Sequence, residues 1–283
     1  MNPIIKWAGG KRKLLPQLRA RLPKEGFTRY VEPFLGGGAL FFDLMPERAL
    51  VIDSNAELVN MYESVRDNPK YLDALLQSFH NTPEFYESIR SWDRKDMIQT
   101  HTPVERAARF IYLNKACFNG LYRVNPSGQF NVPYARPKKL SLPTLDELAQ
   151  MSNFLEGDGI EIVHSDFALK WAECRNGEWL TDFDVGDFVY LDPPYMPVSE
   201  SRSFTGYTVG GFGITQHIKL LELCKHLDGR GIKFMLSNSF SAITMDLYGQ
   251  QGFDIDVVTS SRSIGCRADS RKGIKEIIVR NYK

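Results

Sequence analysis

The segment from Val31 to Asp53 restricts the possible folds more than any other part of the chain. Val31-Glu32-Pro33-Phe34 reads as a strand end that runs into the tight turn Gly36-Gly37-Gly38. Ala39 to Leu44 reads as a short helix leaving the turn, and Ala49-Leu50-Val51-Ile52-Asp53 as a buried strand closed by an acid. A helix over Ala56–Arg66 follows the cap signals Ser54 and Asn55. This is a β-α-β unit with a Gly-rich first turn, which calls for a parallel sheet covered by helices. An acid about 20 residues past such a turn receives ribose hydroxyls in nucleoside-binding folds. Asp53, 19 residues after Phe34, fills that role. The phosphate fingerprint is incomplete, because Phe41 stands where the third Gly belongs. The turn therefore suits an uncharged or zwitterionic nucleoside better than a phosphate. Gly9-Gly10-Lys11 is no phosphate loop either: no Gly lies five residues before Gly10, and Arg12 replaces the magnesium-holding Ser or Thr.

The alternation breaks after residue 66. Residues 67–117 are helix-forming and rich in aromatics, and residues 118–140 read as a hairpin or irregular loop of Asn, Gly, Pro and aromatics. Strands resume at Glu161–His164 and Asp187–Asp192, followed by a helix near 215–228 and a strand at Lys233–Ser237. A helix near 241–251 and strands near 254–260 and 274–281 complete the chain, the last two expected as an antiparallel hairpin. A short basic helix is expected over residues 11–22. Residues 1–66 and 141–283 thus form one domain, and residues 67–140 a small inserted one.

The N-terminus lacks the apolar stretch of a secretory signal, and no apolar run approaches the ~20 residues of a membrane span, so a cytoplasmic protein is expected. Cys117, Cys174, Cys224 and Cys266 are too far apart for a zinc motif, so reduced thiols and no metal are expected. A net charge of +1 says nothing about nucleic acid, but its distribution does. Residues 106–145 contain no Asp or Glu and carry Arg106, Arg109, Lys115, Arg123, Arg136, Lys138 and Lys139. Residues 1–24 are also acid-free and carry Lys6, Lys11, Arg12, Lys13, Arg19, Arg21 and Lys24. Two such stretches in a near-neutral chain suggest a polyanion-binding surface; two solvated faces are the plain alternative.

The sharpest chemical signal is Asp192-Pro193-Pro194-Tyr195 at the end of a buried strand. Open α/β sheets bind ligands at the carboxyl ends of their strands. Two prolines there fix an extended exit and remove two N–H donors. What remains is a row of acceptors, the Asp192 carboxylate and the Pro193 carbonyl, followed by the Tyr195 ring. The amino lone pair of adenine is delocalised into its ring. Two acceptors that take both amino hydrogens favour a tetrahedral, more nucleophilic nitrogen and stabilise positive charge as a methyl group arrives. Tyr195 would stack on a base swung out of the helix. A rigid Pro-Pro turn with no chemical role is the bland alternative.

These residues carry a family resemblance. The chain resembles the GATC-modifying DNA adenine methyltransferases of bacteria and phage, and is especially similar to modification enzymes of GATC restriction systems. The matching blocks are Lys6-Trp7-Ala8-Gly9-Gly10-Lys11, Val31 to Gly38, Asn119-Gly120-Leu121-Tyr122-Arg123, Gln129 to Tyr134, and Asp192-Pro193-Pro194-Tyr195. The resemblance implies an α/β fold: a Rossmann-like S-adenosylmethionine-dependent methyltransferase sheet, its final strand inserted antiparallel, with an inserted, mainly helical DNA target-recognition domain. It implies catalysis by Asp192, Pro193 and Tyr195. It implies S-adenosylmethionine held by Trp7, Lys11, Phe34, Gly36, Asp53, Asp166 and Asp192, with Asp166 at the cofactor's adenine. It also implies DNA contacts from Lys6, Asn119, Leu121, Arg123, Pro133 and Arg136. Phe118 stands where a relative has Tyr, and Ala135-Arg136-Pro137 departs from the common Gly-Arg-Tyr pattern. The partner implied is double-stranded DNA; in restriction-modification systems a cognate restriction endonuclease acts on the same site without a stable complex.

The residues agree with this. Arg is the side chain best shaped to grip a guanine edge, Leu121 at a hairpin tip can wedge between base steps, and spare cations can hold phosphates. Further basic residues, Arg262 and Arg267, lie in the C-terminal hairpin. A Ser at position 192 would have indicated cytosine, and carbon methylation of cytosine needs a Pro-Cys nucleophile that the chain lacks. The competing readings are an RNA adenine methyltransferase and a catalytically silent DNA-binding protein on the same fold.

Overall fold

The computed structural model describes residues 1–94, 97–167, 174–175, 178–179, 183–196, 212–260 and 273–283. Seven strands form one sheet: β1 (Arg29–Glu32), β2 (Ala49–Asp53), β3 (Ile160–His164), β6 (Asp187–Leu191), β7 (Lys233–Ser239), β8 (Asp254–Ser260) and β9 (Ile274–Arg280). Cys174–Arg175 (β4) and Glu178–Trp179 (β5) pair separately as a short antiparallel ribbon. The sheet order is β3-β2-β1-β6-β7-β9-β8. The first five strands in that order pair parallel, while β9 pairs antiparallel with both β7 and β8. The antiparallel insertion of the last strand matches what the resemblance implies.

Two-residue alternation assigns each strand side chain to a face. Tyr30, Ala49, Val51, Phe188, Tyr190, Met235 and Ile278 enter one core; Val31, Leu50, Ile52, Val189, Leu191, Phe234, Leu236, Ile277 and Val279 enter the other. All five residues of β6 are buried, as expected for a central parallel strand covered on both sides.

Among the described residues the α-helices are α1 (Leu15–Arg19), α2 (Phe41–Leu44), α3 (Ala56–Asp67), α4 (Pro69–Gln77), α5 (Pro83–Arg90), α6 (Pro103–Ala116), α7 (Leu145–Leu155), α8 (Ile214–Gly229) and α9 (Ala242–Gly249). Asn55 caps α3, accepting from the N–H groups of Glu57 and Leu58. Helix α7 was missed in the sequence, although Thr144 and Glu147 form its capping box. The basic helix expected over residues 11–22 is confined to Leu15–Arg19.

The described residues of segment 67–140 share an apolar core with the sheet. Helix α6 lies against α3, and Leu72, Tyr86, Phe110, Ile111 and Phe130 share one apolar cluster with Tyr30, Val51 and Tyr62. Beyond α6, bridges Cys117↔Tyr134 and Val124↔Phe130 define an irregular hairpin. Its turn is Pro126-Ser127-Gly128, organised by the Asn125 side chain, whose Oδ1 accepts from Ser127 and Gln129 N–H. Leu121 therefore lies at the base of the hairpin and not at its tip.

Candidate active site

The parallel strands all point their carboxyl ends to one edge, and the expected residues collect there. Phe34 and Gly36 follow β1, Asp53 ends β2, Asp166 follows β3 and Asp192 follows β6. Trp7 and Lys11 reach the same edge from the N-terminal segment.

The Gly turn is built around Asp53. Its Oδ2 accepts from Gly36 N–H at 2.8 Å and its Oδ1 from Asn55 N–H at 2.9 Å. Tyr62 donates its hydroxyl to Gly36 O at 3.0 Å. Gly36 has φ +49°, and a Cβ there would lie 2.6 Å from Trp7 Cδ1. Glycine is required for both the conformation and the closeness of the indole. Trp7 stacks in turn on Tyr122, with ring centroids 5.7 Å apart. The Gly36 N–H thus faces a carboxylate, an arrangement that repels phosphate. Burial pushes the Asp53 carboxyl up from its ordinary value, opposed by the Gly36 and Asn55 N–H groups. Asp166 is half-buried next to Phe167, whose ring lies 4.8 Å from that of Phe34.

The acceptor row carries an ion pair. Lys11 Nζ lies 2.7 Å from Asp192 Oδ1, with Lys11 only 5% and Asp192 18% exposed. The same ammonium donates to Gly9 O at 2.6 Å and sits 4.5 Å from the centroid of the Tyr195 ring. Pro193 is buried and Tyr195 half-buried. Burial pushes the Asp192 carboxyl up, Lys11 pulls it down and Glu276 pushes it up again, leaving it at about 6. Beneath the pair lies Glu32, 2% exposed, accepting from the Tyr30 hydroxyl at 2.8 Å. Burial pushes the Glu32 carboxyl well above the ordinary range. Sequence reading missed Glu32; an acid inside an otherwise apolar strand end was its only signal.

The residues expected to touch DNA form a second group beside the first. Lys6, Asn119, Arg123, Pro133 and Arg136 are exposed, and Leu121 is half-buried against the core. The exposed large apolar side chain of this loop is Phe118. Asn119 and Arg136 both hold positive φ, +58° and +52°. Arg123 donates from Nε to Asn131 Oδ1 at 2.7 Å, which orients its guanidinium.

Two residues that the sequence did not single out hold this group in place. Asn114, buried on α6, accepts from Lys6 N–H at 2.9 Å and donates to Lys6 O at 2.7 Å and Gly120 O at 3.0 Å. It joins the N-terminal segment to the hairpin base. A lone Asn in an apolar helical run was its signal. Asp93 Oδ2 accepts from Phe130 N–H at 2.6 Å and from Arg109 at 2.7 Å.

Several basic residues of the acid-free stretches are paired with acids from elsewhere in the chain. Arg106 pairs with Glu57, the buried Arg109 with Asp93, Lys11 with Asp192, Arg19 with Asp43 and Arg21 with Asp256. Acids distant in sequence supply these partners. Arg123, Arg136, Lys138 and Lys139 remain on the surface. Arg262 and Arg267 lie outside the described residues. Cys117 and Cys224 are buried free thiols. Among the described residues, no group of three or more His, Cys, Asp and Glu is placed to hold a metal ion, and no helix is long and apolar enough to cross a membrane.

The chain is 42% identical to the type II methyltransferase M1.LlaDCHI of Lactococcus lactis subsp. cremoris, over all of this chain and 96% of that one. It is 37% identical to the type II methyltransferase M.MjaIII of Methanocaldococcus jannaschii, over all of this chain and 99% of the relative. It is 32% identical to the DNA adenine methylase of Escherichia coli K12, over 97% of this chain and 93% of that one. Residues 7–264 match the family model of the D12 class N6 adenine-specific DNA methyltransferases, a span that contains both the Gly turn with Asp53 and the Asp192-to-Tyr195 row, and the chain belongs to that family.

Proposed function

We propose that this adenine-specific DNA methyltransferase acts within GATC in duplex DNA, with Asp192, Pro193 and Tyr195 as its catalytic residues. The observation that carries the reading is the Asp192–Lys11 pair at the carboxyl edge, continuous with a buried Pro193 and the Tyr195 ring. The Asp192 carboxylate and the Pro193 carbonyl accept the two amino hydrogens of adenine and stabilise charge on its nitrogen. Tyr195 stacks on the extruded base. Because Lys11 covers one face of the ring, the base takes the opposite face.

S-adenosylmethionine, the methyl donor general to such enzymes, supplies an electrophilic methyl group when bound. The chain's donor set fits it: a Gly turn facing a carboxylate rejects phosphate, and Asp53, Asp166 and Asp192 complement a cationic zwitterion. In this reading Asp53 takes ribose hydroxyls on the lone pairs its two backbone bonds leave over, and Asp166 meets the adenine. Trp7, Phe34 and Gly36 wall the site, and Lys11 fixes Asp192.

Residues 67–140 carry target recognition, with Lys6, Asn119, Leu121, Arg123, Pro133 and Arg136 against DNA. The support is the exposed hairpin beside the site and the tether on Arg123. Protection against a cognate restriction endonuclease would require only that both act on one site. The reading places the protein in the cytoplasm, encoded by a bacterium or phage. Mapping modified adenines on a plasmid methylated in vitro tests it. Modification confined to GATC is expected; adenines modified without GATC preference would overturn the target, and faster transfer to RNA than to duplex DNA would overturn the substrate.

A further inference from the structure

We propose that Glu276 is a positioning residue for methyl transfer: through the Tyr195 hydroxyl it fixes the ring on which the target adenine stacks. The proposal rests on the reading of Tyr195 as the stacking platform. Because β9 runs antiparallel beside β7, its N-terminal end lies at the carboxyl edge of the parallel strands. Register places Glu276 opposite Ser239, the last residue of β7. The Tyr195 hydroxyl donates to Glu276 Oε2 at 2.6 Å, the length of a charge-assisted bond.

The backbone just after the ring is clamped as well. Met196 N–H donates to Asn238 Oδ1 at 3.1 Å, and Met196 O accepts from Ser239 Oγ at 2.6 Å. Ser239 O in turn accepts from Thr244 Oγ1 at 2.7 Å. The prolines fix the chain before Tyr195, residues 238–239 fix it after, and Glu276 fixes the ring tip. A Tyr ring has two side-chain torsions, and an untethered tip would leave the platform to be ordered at each binding event. With Lys11 over one face, the orientation of the ring decides whether the other face meets the base. A fold-stabilising role alone does not ask for a carboxylate here, since its charge opposes ionisation of Asp192.

The test compares Glu276→Leu, Glu276→Gln, Tyr195→Phe, Tyr195→Ala and the double variant Tyr195→Phe/Glu276→Leu. The readouts are kcat/KM on a GATC duplex and the fluorescence of a duplex carrying 2-aminopurine at the target position. Misplacing a substrate contact by about 1 Å can cost a hundredfold, so a loosened platform should cost roughly tenfold in kcat/KM and reduce the fluorescence change. Glu276→Gln should recover most of the rate, because its amide oxygen still accepts from the hydroxyl. Tyr195→Phe should match Glu276→Leu, and the double variant should be no worse than either single. Should Glu276→Leu fail to fold, Tyr195→Phe breaks the same bond from the other side and decides alone. Additive losses, or normal kinetics in Tyr195→Phe or Glu276→Leu, overturn the proposal. Normal kinetics and fluorescence in Tyr195→Ala would instead overturn the stacking role of Tyr195 itself.

Discussion

Lys11 and Asp192 form an ion pair of 2.7 Å at the carboxyl edge of the sheet, joining residues 181 positions apart in the chain. The pair sets the charge state of the site. A carboxylate this buried would ordinarily take up a proton, and the ammonium beside it opposes that. It also restrains one Asp192 oxygen, leaving the other for substrate.

Activity should therefore depend on pH through Asp192. As an acceptor it acts only when ionised, so kcat/KM should be level above about pH 6 and fall as pH drops through that value. Replacing Lys11 by Met removes the charge that pulls the carboxyl down, so the acid limb should move to higher pH. A pH profile of each protein at saturating methyl donor checks this; an unmoved limb in Lys11→Met would assign the ionisation elsewhere.

Asp192→Ala should lower turnover by about a hundredfold or more, because a preorganised group aimed at developing charge is worth roughly 3 kcal/mol. Methyl transfer under single-turnover conditions measures it, with circular dichroism to establish that the protein is folded. Near-normal turnover in a folded Asp192→Ala protein would remove the acceptor role.

Asp53→Ala should weaken S-adenosylmethionine binding and leave DNA affinity largely intact. The loss has two sources, the vacated ribose contact and the turn released when Gly36 and Asn55 N–H groups lose their acceptor. Calorimetry with the methyl donor alone decides the matter, and an unchanged dissociation constant rules the role out.

Asn114→Ala should destabilise the fold by about 1–3 kcal/mol, since Lys6 N–H, Lys6 O and Gly120 O all lose their partner at a buried position. It should also weaken DNA binding without touching DNA, by freeing the N-terminal segment from the hairpin base. Urea unfolding and a DNA titration on the same variant separate the effects; full stability would mean that water replaces the amide.

Arg123 and the surface lysines should behave differently on DNA. A bidentate Arg–guanine contact discriminates by about 1–3 kcal/mol, so Arg123→Ala should relax preference at one base pair by roughly ten- to hundredfold. Lys138→Ala should weaken binding to all sequences alike and flatten the salt dependence by about one unit of slope. Methylation of GATC and single-base variants at one salt concentration distinguishes them. Equal slowing on every duplex by Arg123→Ala would make it a backbone contact.

What the amino-acid sequence determined by itself is local chemistry. The Gly36 turn, the Asn55 cap, the apolar runs of β2 and β6, and the rigid Asp192-Pro193-Pro194-Tyr195 exit each depend on residues a few positions apart. Their physics is set by backbone sterics and by side-chain periods of 2 and 3.6, which any reader of the chain can apply. Tertiary structure alone decided which distant groups meet. Tyr195 finds Glu276 from 81 residues away because β9 is inserted antiparallel, and Lys6 finds Asn114 from 108 residues away because Ile4 and Ile5 enter the same apolar core as α6. The same holds for charge. Residues 106–145 look uniformly basic along the chain, yet Glu57 and Asp93 neutralise Arg106 and Arg109 in space. A side chain's partner is fixed by strand order and helix docking, which sum many weak contacts over the whole core, and no local window of sequence contains that sum.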